Sequence, residues 1–156
     1  MRVSAAAEIR EAVSATALLS RERRASVAES LDETVTVRVD RELLRHALVN
    51  LLDNALRYGP PGQTVTVGCA RAGARVRIWV DDEGPGLAPR DRQRVWEPFM
   101  QLEQHSDVAA ATGTGLGLAV VRHIAGQLGG RAWTEAAPNA RGGHDVRLPG
   151  LRREWR

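Results

Sequence analysis

Four side chains share one stripe of a predicted helix. At its positions i, i+4, i+7 and i+8 stand Asn50, Asn54, Arg57 and Tyr58, a spacing that brings them to one side. Asparagine is a poor interior helix residue, because its amide competes with the backbone for hydrogen bonds. A neutral amide oxygen can ligate Mg²⁺, a hard cation that takes oxygen ligands and keeps waters. The stripe predicts a polar binding site, and an exposed polar helix face explains it equally well.

An acidic, glycine-rich segment follows a predicted strand. In it Asp82, Gly84 and Gly86 stand at alternate positions. Glycines permit tight turns and a close approach of a ligand to the backbone, and a carboxylate at this place can accept a hydrogen bond from an exocyclic amine. Asp, Gly and Pro are also ordinary turn residues. Taken alone, this segment favours an acidic turn over a binding site.

A second glycine-rich segment opens a predicted helix. It contains, in order, Gly113, Thr114, Gly115, Leu116 and Gly117. The first N–H groups of a helix have no partner within the helix, and glycines let an anion come close to them. A dinucleotide-binding fingerprint has the spacing Gly-x-Gly-x-x-Gly directly after a strand, which differs from the spacing here. The segment therefore indicates an anion site of another kind.

Composition limits the chemistry that the chain can carry. All 22 basic residues are arginine, which excludes a Walker P-loop and a Schiff-base lysine. The single Cys69 excludes an intrachain disulfide, and the four histidines lack metal-ligand spacing. The net charge is only +3 and the arginines are scattered, so we expect no nucleic-acid interface. No apolar run approaches membrane-spanning length, and we expect a cytoplasmic domain.

The elements that must position these residues follow from the hydrophobic pattern and from capping signals. Helices are predicted over 4–25, from the N-cap Asp40 to about Tyr58, over 89–95 and over 116–128, and strands over 34–39, 65–69, 76–80, 131–135 and 143–148. Residues 100–114 form a long loop, and such loops are often lids. We expect one domain over residues 1–150, ended by Pro149, and a basic tail over residues 151–156.

Each segment is a weak signal alone, but their order is specific. The chain runs from an Asn-x-x-x-Asn-Ala helix to Asp-x-Gly-x-Gly, then to Trp96-Glu97-Pro98-Phe99, a long loop and Gly-x-Gly-Leu-Gly-Leu. This series resembles the nucleotide-binding boxes of the histidine-kinase ATP-binding domain, in the GHKL superfamily, over about residues 5–149. The resemblance implies an α+β fold, the two-layer α/β sandwich called the Bergerat ATP-binding fold, with helices on one face of a mixed, mostly antiparallel sheet and a long ATP lid.

The resemblance also implies roles for the helix stripe. Asn54 would ligate Mg²⁺, with Asn50 beside it at the phosphates of ATP, and Arg57 would reach those phosphates. Tyr58 would pack on the adenine, and as the only tyrosine it could instead simply close the core at the helix end. Asp82 would accept a hydrogen bond from the adenine amino group.

The glycines and the lid take their implied roles from the same source. Gly84 and Gly86 would shape the adenine pocket, and Phe99 would anchor the lid. The segment from Gly113 to Gly117 would let the lid and the helix start wrap the phosphates. This lid carries no Arg or Lys from Met100 to Thr112, although the family usually places one near the γ-phosphate.

Position 50 helps to choose within the superfamily. Relatives that hydrolyse ATP, such as gyrase B and MutL-type proteins, have a glutamate there as the general base, and so do the anti-sigma serine kinases. The amide of Asn50 cannot accept a proton at neutral pH. The resemblance therefore favours transfer of the γ-phosphoryl group to a histidine imidazole, which needs mainly positioning and charge stabilisation.

The implied acceptor histidine is missing. None of the four histidines has the context of the family's phosphorylated residue, so we expect a protein-histidine kinase catalytic domain that does not phosphorylate itself. Its partners would be a separate dimerisation and phosphoacceptor domain and a downstream response regulator. The isolated domain would be a monomer. The sequence leaves open whether the parent kinase is anchored in a membrane. The alternatives are a non-catalytic nucleotide-binding sensor module and a GHKL ATPase or anti-sigma kinase.

Overall fold

The computed structural model describes residues 2–73, 75–83, 117–127, 130, 133–135 and 145–152. Its helices are α1 (Ala5–Ala15), α2 (Ala17–Glu22), α3 (Arg41–Tyr58) and α4 (Gly117–Gln127). Its strands are β1 (Arg2–Ser4), β2 (Ser26–Leu31), β3 (Thr36–Arg38), β4 (Thr64–Ala72), β5 (Arg75–Asp81), β6 (Trp133–Glu135) and β7 (Asp145–Arg152). Among the described residues, none of the helices has both the length and the apolar character needed to cross a membrane.

The strands form two sheets. The larger sheet has five strands in the order β2-β4-β5-β7-β6, and β1 pairs with β3 separately. Among the strand pairs of the described residues, β2 and β4 run parallel and the others are antiparallel. The mixed, mostly antiparallel sheet predicted from the sequence is therefore confirmed.

Helix α3 has both a capping residue at its start and apolar residues at helical spacing. The carboxylate of Asp40 accepts hydrogen bonds from the N–H groups of Glu42 and Leu43, at 2.9 and 3.3 Å, as expected of an N-cap. The side chains on its inner face are buried: Leu44, Ala47, Leu48, Leu51, Leu52, Ala55 and Leu56. Burying one leucine stabilises the folded state by about 1.5–3 kcal/mol, so this face holds the helix against the core.

The core lies between one face of the large sheet and the helices. Alternate residues of β4 and β5 are buried there, because successive side chains of a strand point to opposite faces. They are Val65, Val67 and Cys69 in β4 and Val76, Ile78 and Val80 in β5. The same cluster includes Ile9 and Ala12 of α1 and Val121, Ile124 and Ala125 of α4. The structure is thus the predicted α+β sandwich.

An ion-pair cluster joins α1 to the first turns of α3. Glu8 is 4% exposed, and its carboxylate oxygens lie 3.0 Å from Nε of Arg41 and 3.5 Å from Nη2 of Arg45. A buried carboxylate is costly unless it is paired, and both arginines remain about half exposed. The cluster satisfies Glu8 and fixes the start of α3 against α1.

The helix predicted over residues 4–25 is wrong in its extent. It breaks at Thr16, whose hydroxyl donates to the carbonyl of Ala12 at 3.0 Å, and α2 ends in a Schellman motif. There Ala25 N–H bonds the carbonyl of Ser20 at 2.9 Å, Arg24 N–H bonds that of Arg21 at 3.0 Å, and Arg24 has a φ of 54°. This motif ends a helix and reverses the chain. The chain then enters β2, a strand that the sequence analysis did not predict.

The last strand is longer than the sequence analysis expected. Strand β7 continues through Pro149 to Arg152 instead of ending at Leu148. The pairing with β5 shifts register between Val76 and Arg77, so that Gly150 has no partner there. Proline is tolerated in a sheet at a bulge or where a strand lacks a second neighbour. Pro149 meets both conditions. It lies beside the register shift, and the described pairs of β6 with β7 extend only to Arg147.

Candidate functional site

The stripe of α3 lies at the boundary between core and solvent. Asn50, Asn54, Arg57 and Tyr58 are all half-buried, whereas the leucines and alanines on the inner face of the same helix are fully buried. Nδ2 of Asn50 donates to the carbonyl of His46 at 2.9 Å. The donor side of this amide is therefore turned back onto the helix, with its oxygen on the other side.

Arg57 is held by an acidic neighbour on its own helix. Its Nε donates to Oδ2 of Asp53 at 2.9 Å, one turn earlier, and the two side chains are 29% and 41% exposed. A carboxylate four residues before an arginine is the favourable order on a helix. The pair holds the guanidinium of Arg57 against the surface of α3.

Tyr58 is the last residue of α3. Burial raises the pKa of its hydroxyl, with the positive charge of Arg57 acting in the opposite direction. The phenol therefore stays neutral at physiological pH and offers both a ring face and a hydrogen-bonding oxygen. This placement suits contact with an aromatic ligand and also suits closure of the core.

The carboxylate predicted to read a ligand amine stands directly after β5. Asp82 is 8% exposed, so this charged side chain is withdrawn from water. A buried carboxylate must have partners. The next residue, Glu83, is exposed, and its backbone N–H donates to the side-chain oxygen of Gln63 at 3.0 Å.

Gln63 was missed by the sequence analysis. Its side chain is 1% exposed, and its Nε2 donates to the carbonyl of Ala55 at 2.9 Å. Together with the bond from Glu83, this amide joins the last turn of α3 to the exit of β5. Nothing in the sequence distinguishes this residue from an ordinary polar residue at the start of a strand.

Arg23 was also missed, and it caps the end of α3 from the side. Its Nε donates to the carbonyl of Leu56 at 3.0 Å, and its Nη2 donates to those of Arg57 at 3.3 Å and Gly59 at 2.8 Å. The last carbonyls of a helix have no partner within it, and a cation is favoured there. Arg23 thereby fixes the backbone that carries Arg57 and Tyr58.

The glycine-rich segment is described only at its end. Gly117 is the first residue of α4, and α4 packs against α3. Val121, Ile124 and Ala125 of α4 are buried in the core. The structure thus brings α4 to the helix that carries the stripe. The other predicted positions lie outside the described residues: Gly84, Gly86, Phe99, Gly113, Thr114, Gly115, Leu116, the helix over 89–95 and the loop over 100–114.

The stripe of α3 offers an amide oxygen that could hold Mg²⁺. Within the described ranges, no group of three or more His, Cys, Asp or Glu side chains is placed to hold a metal ion. Mg²⁺ usually binds through one or two protein oxygens together with substrate phosphates and waters. The half-buried amide of Asn54 fits that pattern as a single protein ligand.

Comparison with known families identifies the class of protein. A family model described as histidine kinase-, DNA gyrase B-, and HSP90-like ATPase matches residues 39–152. This range takes in α3, β4, β5 and α4 and covers most of the chain. The chain belongs to this ATPase family, as the order of its motifs predicted.

Relatives of the chain include a sensor protein and a sensor-like histidine kinase. The chain is 40% identical over 107 residues to the sensor protein IrlS of Burkholderia pseudomallei, an alignment that covers 67% of this chain and 22% of IrlS. It is 40% identical over 114 residues to the sensor-like histidine kinase SenX3 of Mycobacterium tuberculosis, covering 72% of this chain and 27% of SenX3. The chain therefore spans about a quarter of the length of these relatives.

Solved structures agree with this assignment. The mycobacterial sensor histidine kinase MprB matches with a TM-score of 0.81 and 26% identity over 96% of this chain and 95% of that chain. Full-length ShkA in complex with AMPPNP matches with a TM-score of 0.80 and 25% identity over 97% of this chain and 31% of that chain. Among the members of the ATPase family, the chain is thus a catalytic domain of the histidine-kinase type.

Proposed function

We propose that this domain binds ATP with Mg²⁺ and donates the γ-phosphoryl group to a histidine on a separate dimerisation and phosphoacceptor domain. The observation that carries the proposal is the arrangement around α3. Helix α4, which opens with Gly117, packs against α3, and Gln63 bonds both Ala55 of α3 and the backbone of Glu83, the residue after the buried Asp82. The AMPPNP bound to ShkA, a structural relative, supports an adenine nucleotide as the ligand.

Each residue of the stripe has a separate task in this proposal. The amide oxygen of Asn54 would hold Mg²⁺, which would supply neutralisation of the phosphate charge. Asn50 lies one turn earlier at the phosphates, and Arg57 adds a permanent positive charge there. Tyr58 packs on the adenine, and Asp82 accepts a hydrogen bond from its amino group.

The remaining site residues are assigned in the same way. Gly84 and Gly86 shape the adenine pocket, and Phe99 anchors the lid. Backbone N–H groups at the start of α4 hold the phosphates. The residues proposed for this last task are Gly113, Thr114, Gly115, Leu116 and Gly117.

The proposed reaction is phosphoryl transfer rather than hydrolysis. A nitrogen of the acceptor imidazole attacks the γ-phosphorus, the bond between that phosphorus and the β,γ-bridging oxygen breaks, and ADP leaves with the bridging oxygen. Activation of water would require a general base, and the amide of Asn50 cannot act as one. The domain supplies position and charge stabilisation, while the acceptor supplies the nucleophile.

The proposal also covers the partners. The phosphohistidine would pass its phosphoryl group to a response regulator. The isolated domain would be a monomer. It would not label itself, because none of its four histidines has the sequence context of the family's phosphorylated residue.

A reconstitution experiment tests the proposal. The domain is mixed with the dimerisation and phosphoacceptor domain of its parent kinase and with γ-labelled ATP and Mg²⁺. We expect acid-labile label on the acceptor, none on the catalytic domain alone, and no steady-state ATPase activity. Asn54→Ala should abolish labelling. Tight Mg·ATP binding without any transfer would contradict the kinase assignment, and rapid hydrolysis by the domain alone would indicate an ATPase.

A further inference from the structure

One buried amide joins the two halves of the candidate site. Gln63 donates through Nε2 to the carbonyl of Ala55 at 2.9 Å and accepts through Oε1 from the N–H of Glu83 at 3.0 Å. Ala55 directly follows Asn54, and Glu83 directly follows Asp82. The side chain of Gln63 therefore connects the neighbour of Asn54, the proposed magnesium ligand, to the neighbour of Asp82, the proposed adenine-binding carboxylate.

The surroundings of this side chain are built to hold it in one position. Gly59 is buried against the Gln63 amide, and a β-carbon added at Gly59 would overlap the Oε1, Nε2 and Cδ atoms. Gly59 has a φ of −83°, which any residue can adopt, so space rather than backbone conformation calls for glycine. The backbone of Gln63 is also fixed, because its carbonyl accepts from Ser26 N–H at 2.9 Å.

Few other side chains could make this connection. The amide of glutamine offers a donor and an acceptor at one end, and both are used here. An ionised glutamate could accept from Glu83 but could not donate to Ala55. A leucine has a similar volume but makes neither bond. The connection therefore depends on this residue type at this position.

The connection contributes more to geometry than to stability. The carbonyl of Ala55 also accepts from Gly59 N–H at 3.1 Å, so it keeps one partner without Gln63. Glu83 is exposed, and water can reach its N–H if the bond is lost. Since neither backbone group would be left buried and unpaired, the loss of both bonds should cost little beyond their modest net energies.

We propose that Gln63 is a positioning residue that sets the preference for adenine over other purines. The inference rests on the proposed function. Held by Gln63, Asp82 sits where it accepts a hydrogen bond from the exocyclic amine of adenine. Hypoxanthine carries a carbonyl oxygen at that place, which cannot donate and is repelled by the carboxylate. Without the connection, the end of β5 moves relative to α3, and the carboxylate loses the alignment that discrimination requires.

The experiment compares the affinities of the whole chain for Mg·ATP and Mg·ITP by calorimetry. We expect the wild type to prefer ATP by roughly tenfold to a hundredfold, the value of one hydrogen bond to a charged group. Gln63→Leu should lower this ratio about tenfold, mainly by weakening ATP, with ITP changed less than about twofold. Gln127→Leu, on the exposed end of α4, is the matched control and should keep the wild-type ratio.

Two further variants keep the inference falsifiable if Gln63→Leu folds poorly. Gln63→Glu keeps an acceptor for Glu83 and should fall between the wild type and Gln63→Leu. In the Asp82→Ala background, Gln63→Leu should have no further effect on the ratio, since the group it positions is gone. A purely structural role for Gln63 would lower the affinity for both nucleotides equally and would leave the ratio unchanged.

The outcomes separate this inference from the proposed function. A wild type that discriminates between ATP and ITP, with an unchanged ratio in Gln63→Leu and Gln63→Glu, overturns the role of Gln63 alone. A wild type that binds neither nucleotide overturns the proposed function and the inference with it. Equal binding of ATP and ITP by the wild type overturns the role of Asp82, and again the inference with it.

Discussion

The carboxylate of Asp53 accepts a hydrogen bond from Nε of Arg57 at 2.9 Å, one helical turn apart on α3. Because both side chains are partly exposed, solvent weakens their attraction. We expect Asp53→Asn to lower the free energy of unfolding by about 0.2–0.5 kcal/mol, measured by urea denaturation, and high salt to shrink that difference. A double-mutant cycle with Arg57→Ala is the control. A loss that salt leaves undiminished would show that Asp53 acts through something other than this ion pair.

The second prediction concerns the proposed magnesium ligand. Asn54→Ala should weaken binding of Mg·ATP by roughly tenfold to a hundredfold, by analogy with losses at metal sites, and should abolish the dependence of nucleotide affinity on Mg²⁺. Calorimetric titration of the protein with ATP, once in Mg²⁺ and once in EDTA, measures the affinity and its dependence on Mg²⁺. Glu42→Ala, an exposed change more than three turns earlier on the same helix, should behave as the wild type. An Mg²⁺ dependence that survives in Asn54→Ala would place the ion elsewhere.

The parts of the fold that local signals determine were predicted well from the sequence. Helix α3 combines a capping aspartate, an apolar stripe and a terminating glycine, and the hairpin of β4 and β5 turns at Gly73, whose φ is 64°. Strand β2 was missed because most of its residues are exposed and its parallel pairing with β4 joins distant segments. Such a strand has no alternating pattern for a sequence analysis to detect.

The candidate site divides in the same way. Asn50, Asn54 and Asp82 could be named because the order of their motifs along the chain is specific, although each motif is a weak signal alone. Gln63 and Arg23 could not be named, since their importance comes from the place to which the folded chain takes them. Arg23 meets carbonyls more than thirty residues later in the chain, and Gln63 acquires its role only when β5 returns beside α3.

The third prediction concerns that arginine. Arg23→Ala removes three hydrogen bonds to the end of α3, and we expect the free energy of unfolding to fall by roughly 1–3 kcal/mol. Arg21→Ala, an exposed change in the last turn of α2, should cost less than about 0.5 kcal/mol. Urea denaturation of both variants makes the comparison. Equal losses in the two variants would show that the contribution of Arg23 is general surface charge and not capping of α3.

The last prediction uses the only cysteine in the sequence. Cys69 is 1% exposed, and burial raises the pKa of its thiol above the ordinary value. Its reaction with a thiol reagent should therefore be slow and should become fast in urea, because the thiolate is the reactive form. The raised pKa favours the neutral thiol in the folded state, so its stabilisation is complete below the ordinary pKa and is lost as pH rises through the folded value. Cys69→Val should lose that contribution to the pH dependence of unfolding. Rapid labelling of the folded wild type would contradict the burial of Cys69 between β4 and the helices.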